Sequence, residues 1–296
     1  MFVADAALFA KGSSRLAGVR TTLALRWDEL YVKSGKLWVL LFSRSANRIL
    51  FSEKPDWEKT IRIAFRRLPH QIDFGPITAD SYQSYDIVVP LTLAGLEAAQ
   101  QHSDPQKRAL PLPSAETVRL CDDKLAFNKA MIAAGFSKYI PTITQGLGLT
   151  PPYILKKRIG IWGKNCFVIR NLDDENAHLG RIHDADYFCQ DLVLGGTEYA
   201  THILFENGKI VKALNIRYEF DTDAAIKGQN APAIRVVCRS RYLSLWTQML
   251  RAIKYEGLCC VNYKEANGQP YLLEINPRFG GSLGPYFFSF IRHLHA

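Results

Sequence analysis

The sequence lacks a long hydrophobic run. Its 296 residues are 48% apolar and 22% charged, yet no stretch reaches the roughly 18 consecutive apolar residues that a membrane helix requires. No membrane partner is expected. It also lacks close cysteine spacing. The six cysteines never form Cys-x-x-Cys, and the one adjacent pair, Cys259–Cys260, sits inside an apolar run. Buried, reduced thiols of a cytoplasmic protein fit better than a disulfide framework or a redox pair. No Gly-x₄-Gly-Lys-Ser/Thr sequence occurs, because "GIWGKN" has the wrong spacing for a P-loop. Histidines approach metal-binding spacing only in His293-x-His295, which reads as tail surface. "MFVADAALFAKG" puts Asp5 where the basic region of a secretory signal would stand, so none is expected.

Acidic charge is in short supply: 37 Lys and Arg face 28 Asp and Glu, a net charge of +9. The excess is diffuse, with 15 basic against 11 acidic residues in 1–113 and 22 against 17 in 114–296. The nearest approach to a basic patch, Arg62, Arg66 and Arg67, fits one solvated helix face. Such a balance suits small anionic substrates as well as polynucleotide. Without a basic stripe, nucleic acid is not favoured as a partner.

What is present alternates. "GKLWVLLFSR" (35–44) and "SYDIVVPLT" (84–92) read as buried strands, while "DWEKTIRIAFRRL" (56–68) and "LAGLEAAQQ" have helical spacing. That order predicts an N-terminal α/β domain with a mainly parallel sheet over 1–113. Residues 1–34 form an unplaced extension within it, either amphipathic or a targeting peptide. "SDPQKRALPLPSAE" (103–116) is the linker candidate. "AETVRLCDDKLAFNKAMIAAGF" reads as one long helix stopped at Gly135. "PPYILKKRIGIWGKNCFVIRN" (151–171) reads as two strands around a glycine loop, and "SLWTQMLRAIKYEGL" (244–258) as an amphipathic helix. Asn207-Gly208 and Asn267-Gly268 each mark a hairpin. The second half is therefore mixed α+β with antiparallel sheets.

The last hairpin carries the chemistry. In "YLLEINPRFGGSLG", Glu274, Asn276 and Arg278 alternate with Leu273, Ile275 and Pro277, so the polar three share a face. Across the Asn267-Gly268 turn, Asn262 lies near Glu274. Oxygen ligands from two strands suit a hard cation such as Mg²⁺, and an arginine beyond them suits a phosphoryl group. The bland reading is an exposed face with a Glu–Arg salt bridge. "GGSLG" formally matches a nucleophile elbow at Ser282. No Asp or Glu follows Ser282 to complete a triad, so a turn with backbone N–H groups facing an anion reads better.

These residues resemble the ATP-grasp superfamily. "LLEINPRFGGS" is similar to its C-terminal signature, and other landmarks follow in family order. "DDKLAFNKAMIAAGFSKYIPT" resembles the helix with an early phosphate-binding lysine, here Lys124. "PPYILKKRIGIWGKN" resembles the strand whose lysine, here Lys156, contacts nucleotide phosphates before a loop with Gly160 and Gly163. "CQDLVLGGTEYATHILFENGKIV" resembles the adenine-binding linker. The resemblance implies that backbone around Leu192, Val193 and Leu194 reads the adenine, beside Asp191, and that Glu198 accepts from the ribose. Asn262, Glu274 and Asn276 would hold Mg²⁺ or Mn²⁺. Lys157, Arg158 and Lys164 would help hold phosphate or simply be solvated.

The implied fold has an N-terminal pre-ATP-grasp domain, then an ATP-grasp domain over 114–296 with a small lid at about 141–189. The lid loop is lean in glycine and Asn262 is neutral, both departures from the family pattern. The implied activity is ADP-forming carboxylate–amine ligation through an acyl phosphate, with Lys156 and Arg278 as catalytic groups. A small-molecule kinase and a degenerate nucleotide-binding module are the alternatives. The partners would be a small carboxylate and an amine, and, as is frequent among related enzymes, a second copy in a homodimer.

Overall fold

Among the residues described by the computed structural model (28–41, 46–103, 110–160 and 163–294), the strands form three separate sheets. The first is the expected parallel one. Its strands β1 (Arg48–Ser52), β2 (Gln71–Gly75) and β3 (Ile87–Val89) lie in the order β2-β1-β3. Helix α2 (Pro55–Phe65) opens on proline with Asp56 and Glu58 in its first turn, which suits a helix N-terminus. It buries Trp57, Ile61, Ala64 and Phe65, a one-sided helical spacing. Helices α3 (Ala79–Ser84) and α4 (Leu93–His102) follow; the Thr92 side chain caps α4 by accepting from the Gly95 N–H.

The expected strand at 35–44 is not there. Residues 28–41 are helical (α1), and they bury a helical stripe, not alternate residues. Val39 is buried and Tyr31 and Val32 pack on the core, while Leu37, Leu40 and Leu41 face out. Gly35 fits against the Phe288 ring, where a Cβ would sit at 3.0 Å. The Tyr286 hydroxyl donates to the Asp28 carboxylate at 2.7 Å. Thus the last seven residues of the expected 1–34 extension are docked helix, whereas 1–27 lie outside the described residues.

The long helix expected after the linker is broken. Helices α5 (Ala115–Asp122) and α6 (Lys124–Met131) meet at Asp123. The Asp123 carboxylate accepts from the Leu125 and Ala126 N–H groups, both at 3.1 Å, and starts a new helix there. A π-helical turn (Ile132–Phe136) continues α6, and the helical backbone breaks in it at Gly135 (φ 90°), where the stop was expected. The middle of the linker, 104–109, lies outside the described residues.

The second sheet, antiparallel, runs β4-β7-β5-β6 through β4 (Ile143–Thr144), β5 (Tyr153–Lys157), β6 (Cys166–Ile169) and β7 (Tyr187–Asp191). With α7 (Leu172–Ala177) and α8 (Leu179–Ile182) it occupies the stretch expected for the lid. The third sheet is antiparallel in the order β10-β9-β8-β11-β12. It comprises β8 (Thr197–Glu206), β9 (Lys209–Glu219), β10 (Ile234–Cys238), β11 (Gly257–Ala266) and β12 (Gln269–Asn276). Both expected hairpins form, with positive φ at Asn207, Gly208, Asn267 and Gly268.

One face of the third sheet (Val261, Tyr263, Leu272, Ile275) packs with Phe127 and Met131 of α6 and with Trp246, Met249 and Leu250 of α9 (Leu243–Ala252). Its other face shares a core with the parallel sheet and a terminal 3₁₀ segment (Gly281–Ser289): Ala200, Leu204, Ile216, Ile49, Phe51 and Phe287 lie in one cluster. The polar end of that second face is left to line a cleft. No helix among the described residues is long and apolar enough to cross a membrane.

Candidate active site

The cleft lies between the lid sheet and the five-stranded sheet. On the sheet side, register places Asn262 of β11 opposite Glu274 of β12, and Glu198 of β8 opposite Lys264 of β11. A register shift after Asn262 makes Leu273 a bulge residue. That is why Leu273, expected to face away, lines the cleft beside Glu274, while Ile275 enters the core as expected. Glu274 Oε1 accepts from the amides of Asn262 (2.8 Å) and Asn276 (2.9 Å), and Oε2 lies 3.7 Å from Lys124 Nζ. Burial alone would raise its carboxyl, but Lys124, the two amides and Lys227 together hold it below the ordinary carboxylate range.

The lid side carries Lys156 on β5. It is buried, its Nζ donates to Gln190 Oε1 at 2.6 Å, and it makes no ion pair among the described residues. Burial therefore pushes its ammonium below the usual lysine range, and the negative charge of Glu274 and Glu198 only partly opposes that. Lys124, the first residue of α6, donates to the Gly160 carbonyl at 2.7 Å, tying the helix start to the glycine loop. Arg158 is not turned to the cleft: it forms a bidentate pair with Asp123, 2.5 Å at Nη2 and 3.2 Å at Nε.

Four residues that sequence reasoning missed line the walls or brace them. Lys227, on the loop between β9 and β10, pairs with Glu198 Oε1 at 2.5 Å and donates to Asn262 Oδ1 at 2.8 Å. Burial disfavours its charge, but Glu198 outweighs this and raises its pKa. On the same loop, Gln229 Nε2 donates to the carbonyls of Gly163 (2.5 Å) and Cys166 (2.8 Å), latching the lid's glycine loop. Gly163 has φ +64°, and a Cβ there would meet Ile226 Cγ2 at 2.7 Å; the turn requires glycine. Lys264 Nζ donates to the carbonyls of Val193, Gly195 and Asp223 at 2.9–3.3 Å and so fixes the linker after β7. Gln190 is the fourth. Strand alternation from Asn262 could have shown Lys264; nothing local marks the loop residues.

The cleft brings together Lys124, Lys156, Gly160, Gly163, Asp191, Leu192, Val193, Glu198, Asn262 and Glu274. Leu194 is not among them and its side chain is half exposed. Six lysines, Lys157 and Lys164 included, face three carboxylates along it, so the cleft is built to take a polyanion. Its volume is about 840 Å³, counting space open to solvent.

Asn276 and Arg278 line a second cavity that shares Asn262, Glu274, Lys227 and Gly163 with the first. Ser282 sits there too. Its hydroxyl lies 2.7 Å from Nε2 of His202, whose ring burial pushes down to about 3. The ring is therefore neutral, and among the described residues no carboxylate joins the pair to form a triad. All six cysteines are unpaired, and His295 lies outside the described residues.

A divalent cation fits part of this set. Asn262 spends both ends of its amide, on Glu274 and on Lys227, so neither end is turned to a metal. Glu274, with one carboxylate oxygen unbonded, and Asn276, whose Oδ1 accepts no hydrogen bond among the described residues, are the ligands left. One carboxylate with phosphate and water oxygens is a usual Mg²⁺ set. No cluster of three or more His, Cys, Asp or Glu able to hold a metal occurs among the described residues.

Residues 191–291 match the family model described as ATP-grasp in the biosynthetic pathway with Ter operon. No curated protein matches the chain in sequence. Among solved structures, D-alanine–D-alanine ligase from Bacillus anthracis superposes with TM-score 0.58 at 16% identity, covering 84% of this chain and 96% of that one. L-amino acid ligase from Bacillus licheniformis gives 0.56 at 12% identity over 83% and 70%. N5-carboxyaminoimidazole synthetase from Staphylococcus aureus, complexed with ADP, gives 0.54 at 15% over 80% and 71%. With Glu274, Asn276 and Arg278 closing its final hairpin, the chain has the ATP-grasp fold.

Proposed function

We propose that the protein is an ADP-forming carboxylate–amine ligase that binds Mg·ATP in the cleft. The observation that carries this reading is the convergence of Lys124, Lys156, Glu198 and Glu274, from four separate elements, on one cationic cleft between lid and sheet. The similar structures include ligases, one complexed with ATP. The physical problem is repulsion: a carboxylate must approach a triphosphate. Lys156 has no carboxylate of its own and supplies uncompensated charge to the phosphates; Lys124 adds charge at the start of α6. Arg278, one cavity further along, faces the oxygens of the acceptor carboxylate as it attacks the terminal phosphorus. The carboxylate–phosphorus bond forms as the bond to ADP breaks, and an amine then displaces phosphate to give an amide. A Mg²⁺ held by Glu274 and Asn276 would neutralise phosphate charge. Asp191 and the 192–194 backbone, steadied by Lys264, would meet the base, with Glu198 at the ribose.

The Asn262–Lys227 pairing favours a second reading, a nucleotide-binding module with little turnover, because it removes one metal ligand. Calorimetry with a non-hydrolysable ATP analogue and Mg²⁺, followed by a phosphate-release screen of paired carboxylates and amines, tests both. Binding with turnover and amide product supports ligation. A phosphorylated acceptor as final product points to a kinase, and binding without turnover to the module. Absence of binding removes the nucleotide site altogether. A cytoplasmic setting, in keeping with six free thiols, and a homodimer complete the proposal.

A further inference from the structure

The second cavity carries more positive charge than the ligase reading uses. It is lined by three cations, Lys227, Arg235 and Arg278, and by one carboxylate, Glu274. Lys227 is already matched by Glu198 at 2.5 Å, and Glu274 is opposed by Lys124 at 3.7 Å. Two guanidinium groups remain. Arg278 Nη1 donates only to the Phe279 carbonyl (3.3 Å) and Arg235 Nη2 only to that of Ser282 (2.9 Å). Neither forms an ion pair among the described residues, so each keeps most of its five donors for something else.

Arg235 lies on β10 and Arg278 just past β12, the opposite edge strands of the five-stranded sheet. The chain that follows Arg278 passes over β11 and β8. A Cβ on Gly280 would meet His202 Cε1 at 2.5 Å and Cys260 Cβ at 3.2 Å, and Ser282 is bonded to His202. Arg278 is half-buried two residues past Asn276, whereas Arg235 is exposed on β10; Trp57 and Gly281 are among the other lining groups.

We infer that the acceptor is a diacid: one carboxylate is activated beside Arg278, and a second anionic group is held by Arg235 at the outer end of the cavity. This rests on the reading of the adjacent cleft as the nucleotide site. The second group stays unreacted; its part is to orient the first, and a charge-assisted bidentate contact of this kind gives selectivity of at least about tenfold.

The test uses the full chain, Mg·ATP and dicarboxylates and amino dicarboxylates of graded length, each beside its monoacid or amide counterpart (glutarate with butyrate, glutamate with glutamine). ADP release is read, together with calorimetric binding of each acid in the presence of ADP. The expected result is a preference of at least about tenfold for diacids. Arg235→Met collapses that ratio toward unity, and Arg235→Lys retains part of it. Equal or better use of monoacids, an unchanged ratio in Arg235→Met, or no diacid binding at any length overturns the inference. Calorimetry of a non-hydrolysable ATP analogue separates the two levels. If the nucleotide binds and the ratio is flat, only the diacid assignment falls; if it does not bind, the nucleotide site falls and the assignment with it.

Discussion

The two walls of the cleft handle buried charge in opposite ways. On the sheet wall both buried carboxylates are answered: Glu198 by Lys227, and Glu274 by Lys124 of α6 and two amides. On the lid wall the one hydrogen bond of buried Lys156 goes to a neutral glutamine, and no carboxylate among the described residues pairs with it directly. An internally paired wall keeps its shape with or without a ligand, because removing either partner strands the other in low dielectric. The lid wall instead carries a cation whose compensation is missing, and a bound polyanion would supply it. The sheet is thus the template and the lid the element that gains on binding. The pKa directions follow the pairing: upward for Lys227, which has a carboxylate partner, and downward through burial for Lys156 and Lys264, whose hydrogen bonds go to neutral oxygens.

The sharpest way to break this contrast is to remove the pair that holds the template. Lys227→Met leaves the nearly buried Glu198 carboxylate and Asn262 Oδ1 without their donor. The expected loss is about 3–5 kcal/mol, read as a lower midpoint of denaturant unfolding at unchanged slope. Adding Glu198→Gln should recover much of it, since no charge is then stranded. A wild-type midpoint in the single variant would show that the sheet wall is not held by internal pairing.

Glu274→Gln comes next. It removes the one carboxylate available to a metal and the counter-charge of Lys124, yet an amide can keep a contact with Asn262 and Asn276. Turnover should fall by about 10²–10³-fold with the folded state intact by near-UV circular dichroism. A variant with undiminished turnover would take Glu274 out of the chemistry.

Half of this contrast was legible in the sequence, and the reason is range. The hairpin could be read because a two-residue Asn-Gly turn fixes register and period-2 alternation fixes the face. That brought Asn262 near Glu274, but the turn alone pairs Asn262 with Leu273, and only the bulge at Leu273 sets it opposite Glu274. Lys156 and Lys124 were readable only through resemblance, since nothing local says that β5 and α6 converge. Lys227 and His202 were invisible: the first comes from an irregular loop, and the second meets Ser282 across 80 residues. The helix over 28–41 was misread because leucines that normally signal a buried strand lie on its exposed side, with Leu37 and Leu41 more than half exposed. An apolar run reports burial only where a partner covers it. The bulge at Leu273 breaks strict alternation for a similar reason, since pattern alone does not show an inserted residue.

The lid's attachment can be sharpened through its two glycines. At Gly163 the backbone is left-handed and Ile226 leaves no room for a Cβ, whereas nothing lies within 4 Å of a Cβ on Gly160. Gly163→Ala should therefore cost roughly 1–3 kcal/mol and weaken nucleotide-analogue binding by loosening the Gln229 latch. Gly160→Ala should barely move the melting temperature. Equal effects at the two positions would mean that the latch does not fix the loop.

The smallest effect tests the lid wall itself. Lys156→Met keeps the side-chain volume and removes an ammonium whose burial is only partly offset by its neighbours, at the loss of its one hydrogen bond, to Gln190. The folded-state pKa of Lys156 lies below its unfolded value. The destabilising cost of burying the charged form is therefore fully present below the folded pKa, and it is relieved as pH rises through the folded pKa toward the unfolded one near about 10.4. The ligand-free variant should gain on wild type by on the order of 1 kcal/mol near neutral pH, and the gain should shrink in alkaline buffer. Paired unfolding curves across that range measure it. A difference flat with pH, or a wild type stabilised by Lys156 at neutral pH, would mean that the lysine is already compensated, and the lid would then have no stored demand for an anion to satisfy.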